Sequence, residues 1–380
     1  MRICLVCDCL YPYTVGGAER WYRNLGERLA RAGHEVTYLT LRQWPEGESP
    51  DVPGVRVLAV APRFELYSDD GRRRIWPAVR FGLGVLRQLL RSGSTYDVVH
   101  SSATPFFTPL AISAARRKGY RIVIDWHEVW TRTYWREYLG AAGGWIGWRI
   151  QRACARIPHR AFCFSRLHAR RLEREGYRGT PTVLEGEYAG SLETPEPVAA
   201  EPLVVYPGRH IPEKRVPALV RAFARARERV PELRCLIFGD GPDRPEVLRL
   251  VAEHGLDGSV ETPGFVPGER VDAALRSALC MALPSRREGY GLVVVEAAAR
   301  GTPSVVVADE DNAAVELVED GVNGVIAASA DPDDLAAAIL RVYEAGDELR
   351  ASTAEWFERN ARRLSLDSSL ETVVAAYAAH

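Results

Sequence analysis

Only two lysines, Lys118 and Lys214, stand among the 49 basic residues of the 380-residue chain, so each marks a position where arginine was not used. Lys214 closes the segment Tyr206-Pro-Gly-Arg-His-Ile-Pro-Glu-Lys214, between an expected strand and a helix expected to begin near Val216. Arg209 and Lys214 thus flank a strand-end loop. Paired cations there suit a diphosphate, and a compact ammonium supplies the point charge that a planar guanidinium fork does not. Scattered surface charge is the plainer alternative. Downstream, Pro284-Ser-Arg-Arg-Glu-Gly-Tyr-Gly-Leu-Val-Val-Val-Glu-Ala carries Glu288 in a glycine-bounded loop and Glu296 within a helix expected from Gly291 to Arg300. Free amides at that helix start favour a phosphate, and a carboxylate is a natural bidentate acceptor for a ribose diol or sugar hydroxyls.

Further candidates lie at other expected strand ends. Gly16 and Gly17 precede an amphipathic helix from about Ala18 to Ala32, where a backbone without Cβ atoms lets a ligand approach the helix N-terminus. The segment lacks a G-x-G-x-x-G fingerprint, which argues against a dinucleotide site. Phe238-Gly-Asp-Gly-Pro242 and Thr262-Pro-Gly-Phe-Val266 are loops that would let backbone meet a base. Asp125-Trp-His-Glu-Val-Trp130 sets His127 at a strand end among tryptophans and carboxylates, for either a structural or a ligand role. Asp309-Glu-Asp311 could form a D-x-D metal site, but it follows a late strand, and the expectation is that no metal is held.

The elements that must position these residues alternate between short apolar runs and longer stretches of helical period, the pattern of an α/β protein with parallel sheets. Strands are expected at 2–7, 35–41, 55–61, 97–100, 121–125, 161–164 and 182–184, and again at 203–206, 234–238, 260–262, 280–283, 304–307 and 324–326. Between the two sets, residues 185–202 carry Pro195, Pro197 and Pro202 without an apolar period, a linker composition. The division is therefore 1–190, 191–350, and a helical segment 351–380 that braces the first domain. Ligands of such sheets lie beyond the carboxyl ends of the strands.

Composition narrows the classes. With 47% hydrophobic and 26% charged residues the chain is an ordinary globular protein, and 380 residues favour two domains. A net charge of -1 leaves no global field for nucleic acid, so any anion site is local. Seven cysteines without paired spacing, and a first stretch in which no export signal is read, lead to the expectation of a cytoplasmic protein, peripheral at the inner face of the membrane at most. Cys4, Cys7 and Cys9 are expected as buried strand cysteines. The basic, amphipathic stretch 72–91 and the group Trp145, Trp148, Arg149 and Arg152 resemble interfacial helices. They also resemble surface helices whose arginine stems cover apolar neighbours.

Taken in order, GGAER at 16–20, DVVHS at 97–101, the histidine of DWHE, the serine of CFS at 165, GRHIPEK at 208–214, FGDGP at 238–242 and the Glu288 to Glu296 spacing resemble the retaining nucleotide-sugar glycosyltransferases of family 4. The resemblance implies the GT-B architecture: two facing Rossmann-like domains with a deep cleft, the first binding acceptor and the second the nucleotide sugar. By that resemblance Arg209 and Lys214 bind the donor diphosphate, Glu296 the ribose, and Glu288 the donor sugar. Backbone at Leu292 and Val293 meets phosphate, and backbone near Val266 reads the base. Gly17, beside Gly16, approaches diphosphate and acceptor, and His127 contacts the transferred sugar. The implied reaction moves a sugar from a UDP or GDP carrier to a hydroxyl of a glycan or lipid-linked acceptor, without metal or other cofactor. The chain departs from the family at Leu184-Glu-Gly-Glu187, where an Asn-Gly pair is usual, and at Asp311-Asn-Ala-Ala314, where a Gly-Gly turn is frequent. A nonhydrolysing nucleotide-sugar epimerase and a non-catalytic two-domain sugar-binding protein are the rival readings.

Overall fold

The computed structural model describes residues 1–14, 16–68, 73–195 and 198–378. Arg72 at the start of the basic stretch, Pro197 of the linker and the terminal His380 lie outside the described residues. The chain divides into two compact units. Unit 1 gathers the chain up to Ser68, residues 73 to Glu187, and the end of the chain from Asp367; unit 2 holds Tyr188–Leu366.

Unit 1 is built on seven parallel strands among the described residues: β1 (Arg2–Val6), β2 (Glu35–Leu41), β3 (Val55–Ala61), β4 (Val98–Ser102), β5 (Arg121–Trp126), β6 (Arg160–Cys163) and β7 (Thr182–Val183), in the order β3-β2-β1-β4-β5-β6-β7. The order reverses between β1 and β4, whose successive loops therefore leave in opposite directions and open a crevice. Both strands are buried along almost their whole length, as expected for the centre of a sheet covered on two faces. Helices α1 (Gly17–Arg31), α2 (Ile75–Ser92), α3 (Phe107–Ala114), α4 (Arg132–Ala155) and α5 (Arg166–Arg174) make the crossovers. In α1, Trp21, Tyr22, Leu25 and Leu29 fall on one face and are buried, each such large side chain contributing about 1.5–3 kcal/mol.

Unit 2 repeats the plan with β8 (Glu201–Pro207), β9 (Arg234–Phe238), β10 (Val260–Gly264), β11 (Ala278–Leu283), β13 (Ser304–Val307) and β15 (Gly324–Ala327), ordered β10-β9-β8-β11-β13-β15. Its helices are α6 (Val216–Arg229), α7 (Arg244–Glu253), α8 (Gly268–Ser277), α9 (Leu292–Ala298) and α10 (Pro332–Leu364). The reversal here falls between β8 and β11. A separate two-stranded ribbon pairs β12 (Arg287–Glu288) with β14 (Asp311–Asn312). Glu288 is therefore on a short strand rather than in a free loop, and α9 is shorter than the helix expected from Gly291 to Arg300.

The helical C-terminus also differs from expectation. α10 is broken at Gly346, where φ is 52°, and it stays in unit 2 as far as Leu364. Ser365 then adopts an extended conformation and α11 (Leu366–Ala378) begins. The chain thus joins unit 1 at Asp367, not Ala351, and is held there by Asp367 to Arg28 at 2.8 Å and by Ser369 Oγ accepting from the Gly186 N–H at 3.0 Å.

Candidate functional site

At the reversal point of unit 2, the loops after β8 and β11 carry the residues singled out from sequence. The chain leaves β8 at Pro207, passes the exposed Arg209 and makes a short 3-10 turn over Pro212–Lys214. The buried Tyr206 hydroxyl donates to the Arg209 carbonyl at 2.8 Å and fixes the start of this loop. Lys214 Nζ donates to Glu288 Oε1 at 2.5 Å, and Ser285 Oγ donates to the same oxygen at 2.7 Å. The lysine and glutamate side chains are only 18% and 11% exposed, which strengthens their attraction relative to a solvated pair. Two residues separated by 74 positions are brought together because β8 and β11 are neighbours.

The ribbon explains how Glu288 is held. Asn312 donates from Nδ2 to the Ser285 carbonyl at 3.2 Å and the Val307 carbonyl at 2.8 Å, while its Oδ1 accepts from the Ala314 N–H. This buried amide joins the ends of β11 and β13. Beside it, Arg215 binds Asp309 at 3.0 Å, so the first aspartate of the D-x-D triplet is occupied by an arginine.

Glycine is required where loops cross. Gly239 has φ of 96°, and a Cβ there would lie 1.9 Å from the Gly208 carbonyl oxygen; the β9 loop is pressed against the start of the Arg209 loop. His210 is buried in the same contact, its N–H donating to the Asp240 carbonyl at 2.9 Å and its Nε2 lying 3.2 Å from the Phe238 carbonyl. Gly291, with φ of 97°, caps α9 without a side-chain hydrogen bond, and Ala314 fills the space a Cβ would need. The Leu292 and Val293 amides lie in the first turn of α9, where helices leave N–H groups without internal acceptors. Glu296 is half-buried on the same helix, and Val266 is half-buried in the loop after β10, next to the exposed Phe265.

In unit 1, His127 follows β5 and stacks on Phe164, at the end of β6, with ring centroids 4.2 Å apart. Its Nε2 is buried and has no hydrogen-bond partner among the described residues. Burial pushes its pKa down despite the opposing charges of Asp125 and Glu128, which leaves a neutral imidazole able to accept or donate. Behind it, Asp125 accepts from Trp21 Nε1 at 2.8 Å and lies 2.7 Å from His100 Nε2. The other nitrogen of His100 bonds the hydroxyl of Tyr377 on α11. Burial works against ionisation of Asp125, but His100 and the hydrogen bond from the Trp21 N–H outweigh it and hold the carboxyl below its usual range. Gly16 is extended and Gly17 begins α1; a Cβ on Gly17 would meet nothing within 4 Å. No packing against the protein therefore demands glycine at 17.

Sequence reasoning missed Ser285, Asn312 and the His100–Asp125–Tyr377 chain. Ser285, Asn312, His100 and Asp125 all lie inside segments already singled out, but the sequence reading assigns them no role there. A polar His-Ser-Ser end to an otherwise apolar strand was the available signal for His100. Glu187, at one of the departures from the family pattern, has its carboxyl pushed up to about 8 by burial and by the charge of Asp125. All seven cysteines are buried and free; Cys4 lies on β1, whereas Cys7 and Cys9, expected on the same strand, lie in the loop that follows it because β1 ends at Val6. Among the described residues, no group of His, Cys, Asp and Glu is arranged to hold a metal ion, and no helix is long and apolar enough to cross a membrane.

Two parallel-sheet units of Rossmann-like plan define the GT-B fold class. Residues 15–185 match the model of Glycosyltransferase Family 4, and residues 193–363 match that of Glycosyl transferases group 1. The chain belongs to the glycosyltransferases of the GT-B type. It is 29% identical to an MMP alpha-(1->4)-mannosyltransferase of Mycolicibacterium hassiacum over 95% of this chain and 94% of that protein. It is 32% identical to an alpha-D-kanosaminyltransferase of Streptomyces kanamyceticus, but over 40% of this chain and only 39% of that protein. In structure it resembles sucrose-phosphate synthase of Thermosynechococcus elongatus (TM-score 0.82, 21% identity, 99% and 98% of the two chains covered). It also resembles Anabaena HepE solved with UDP (TM-score 0.76, 18% identity, both chains covered in full).

Proposed function

We propose that the protein is a retaining glycosyltransferase that moves a sugar from a nucleoside diphosphate sugar, carried on UDP or GDP, to a hydroxyl of a glycan or lipid-linked acceptor. The observation that carries this reading is the meeting of Lys214 with Glu288 at the reversal point of unit 2, beside the exposed Arg209. A similar fold solved with UDP and with UDP-glucose supports a nucleotide-sugar donor.

In this reading Arg209, Lys214 and the Leu292 and Val293 amides bind the diphosphate. Negative charge grows on the leaving oxygen as the bond to the anomeric carbon breaks, and preorganised donors there stabilise the transition state. Glu288 orients the Lys214 ammonium and faces the sugar. Glu296 takes the ribose hydroxyls, and backbone near Val266 takes the base. In unit 1, His127 offers its unpartnered Nε2 to a sugar hydroxyl, and the open space at Gly17, next to Gly16, leaves room for a ligand at the start of α1. The acceptor oxygen attacks the face from which diphosphate departs, the new bond replaces the old with the same configuration, and the departing phosphate oxygen takes the acceptor's proton. The counter-charge comes from protein groups, so turnover persists in excess EDTA.

The test is a panel of nucleotide sugars incubated with glycan and lipid-linked acceptors, with nucleoside diphosphate release and the anomeric proton coupling of the product read by NMR. One donor giving a product of retained configuration with EDTA present is expected. An inverted product, or dependence on added metal, refutes the corresponding part of the mechanism. Acceptor-independent interconversion of the donor would make the protein an epimerase.

A further inference from the structure

The outer face of α2 is unlike that of an ordinary covering helix. At about 100° per residue, Trp76, Arg80, Leu83, Arg87, Leu90 and Arg91 fall within roughly 100° of arc. All six are exposed, and the three apolar ones are each more than half exposed. Pro77, Ala78, Phe81, Val85 and Leu89 bury the opposite face. The helix has no acidic residue, and none of Arg80, Arg87 and Arg91 has an acidic partner among the described residues. Arg80 instead lies over the Trp76 ring at 5.9 Å.

Two neighbouring features extend the face. Just past the C-terminal end of α2, a Cβ on Gly93 would lie 3.1 Å from the Lys118 side chain, which sets the turn Arg116-Arg-Lys118 against the end of this helix. Those three cations also lack acidic partners among the described residues. On the same side of the sheet, α3 lies between α2 and α4: a Cβ on Gly82 would meet Phe107 at 2.8 Å, and Cys154 Sγ meets the Phe106 carbonyl at 3.2 Å. The outward residues of α4 after its break at Gly140 include the exposed Trp145, Ile146 and Arg149, with Arg149 over the Trp145 ring.

We propose that this face of unit 1 docks the protein on the surface of an anionic lipid bilayer. Arginines between large apolar side chains fit lipid best. The cations meet phosphate headgroups, while Trp76, Leu83, Leu90 and Trp145 gain by entering the boundary with the acyl chains. A nucleic acid or acidic peptide would use the cations but leave the aliphatic residues in water. A second copy across a two-fold axis would set arginine against arginine, an unfavourable pairing. The inference does not rest on the donor reading, since it concerns residues outside the proposed site.

The test is co-sedimentation of the full chain with phosphatidylcholine vesicles, with and without phosphatidylglycerol, at low and high salt. Binding to the anionic vesicles alone, weakened by salt, is expected. Arg87→Ala with Arg91→Ala lowers the partition coefficient on the order of thirtyfold, about fivefold for each arginine. Trp76→Ser with Leu83→Ser weakens binding as well, without changing the melting temperature, because both residues are exposed. Arg249→Ala in unit 2 leaves binding unchanged. Absence of binding to anionic vesicles, or equal binding by the α2 variants, overturns the proposal. So does self-association that the α2 variants abolish in a protein that ignores vesicles.

Discussion

Replacing Lys214 by alanine tests how the proposed site works, because among the described residues the lysine side chain is paired with Glu288 and has a defined place. Its ammonium is held at 2.5 Å by Glu288, which also accepts from Ser285, and both charged side chains are largely removed from water. Removal of one preorganised donor to a developing oxyanion costs about 3–4 kcal/mol of barrier, so Lys214→Ala lowers kcat on the order of a hundredfold to a thousandfold. Glu288→Gln keeps an acceptor for Ser285 but loses the charge that orients the lysine, and costs about 1–3 kcal/mol. If the carboxylate acts partly through the lysine, the double variant loses less than the sum of the single losses, with a coupling of about 1–2 kcal/mol. Lys214→Arg restores only part of the rate, since a guanidinium fork does not reproduce a single short contact. The assay is nucleoside diphosphate release from the donor identified by the panel, with melting temperatures showing that each variant is folded. Strict additivity, or an alanine variant within threefold of the wild-type rate, would refute the coupled role.

Three further expectations concern Glu187, Gly17 and Gly239. The Glu187 carboxyl is raised to about 8 by burial and by Asp125, so the folded state holds its proton more tightly than the unfolded chain, where glutamate titrates at about 4.3. That contribution to stability is fully present below about pH 4.3 and is lost as pH rises through about 8; Glu187→Gln therefore flattens the fall in stability between these values, by a few kcal/mol at most. Denaturant titrations across this range check it, and an unchanged slope contradicts it. Gly17→Ala leaves the melting temperature unchanged or slightly higher but lowers turnover, because open space surrounds the added methyl. Gly239→Ala costs about 2–5 kcal/mol of stability, through its positive φ and the clash with Gly208. Equal melting behaviour of the two variants removes the distinction.

The sequence exposed the parallel sheets because the buried strands are continuous apolar runs and the intervening helices keep a helical period. It exposed Lys214 because lysine is rare in this chain. It could not place Glu288 on a strand: Arg287–Glu288 and Asp311–Asn312 are two residues each, too short to show a period, and their pairing joins positions far apart in the chain. The same distance hid the contact of His100 with Asp125 and Tyr377, although β4 and β5 pair in register from Val98 to Ser102. The end of α10 was misplaced for another reason. Apolar residues continue with helical spacing past both Gly346 and Ser365, so the pattern carries no mark of where the chain leaves unit 2. Gly140 breaks α4 in the same way.

The central claim is that unit 2 binds a nucleoside diphosphate through Arg209 and Lys214 without a metal. Calorimetric titration of UDP and GDP into the wild-type protein and into Lys214→Ala, all in excess EDTA, tests it directly. The account predicts saturable one-site binding of one of the two nucleotides by the wild type, weakened at least tenfold in the folded variant. Equal affinities for both proteins, or wild-type binding that appears only when a divalent metal is restored, would contradict it.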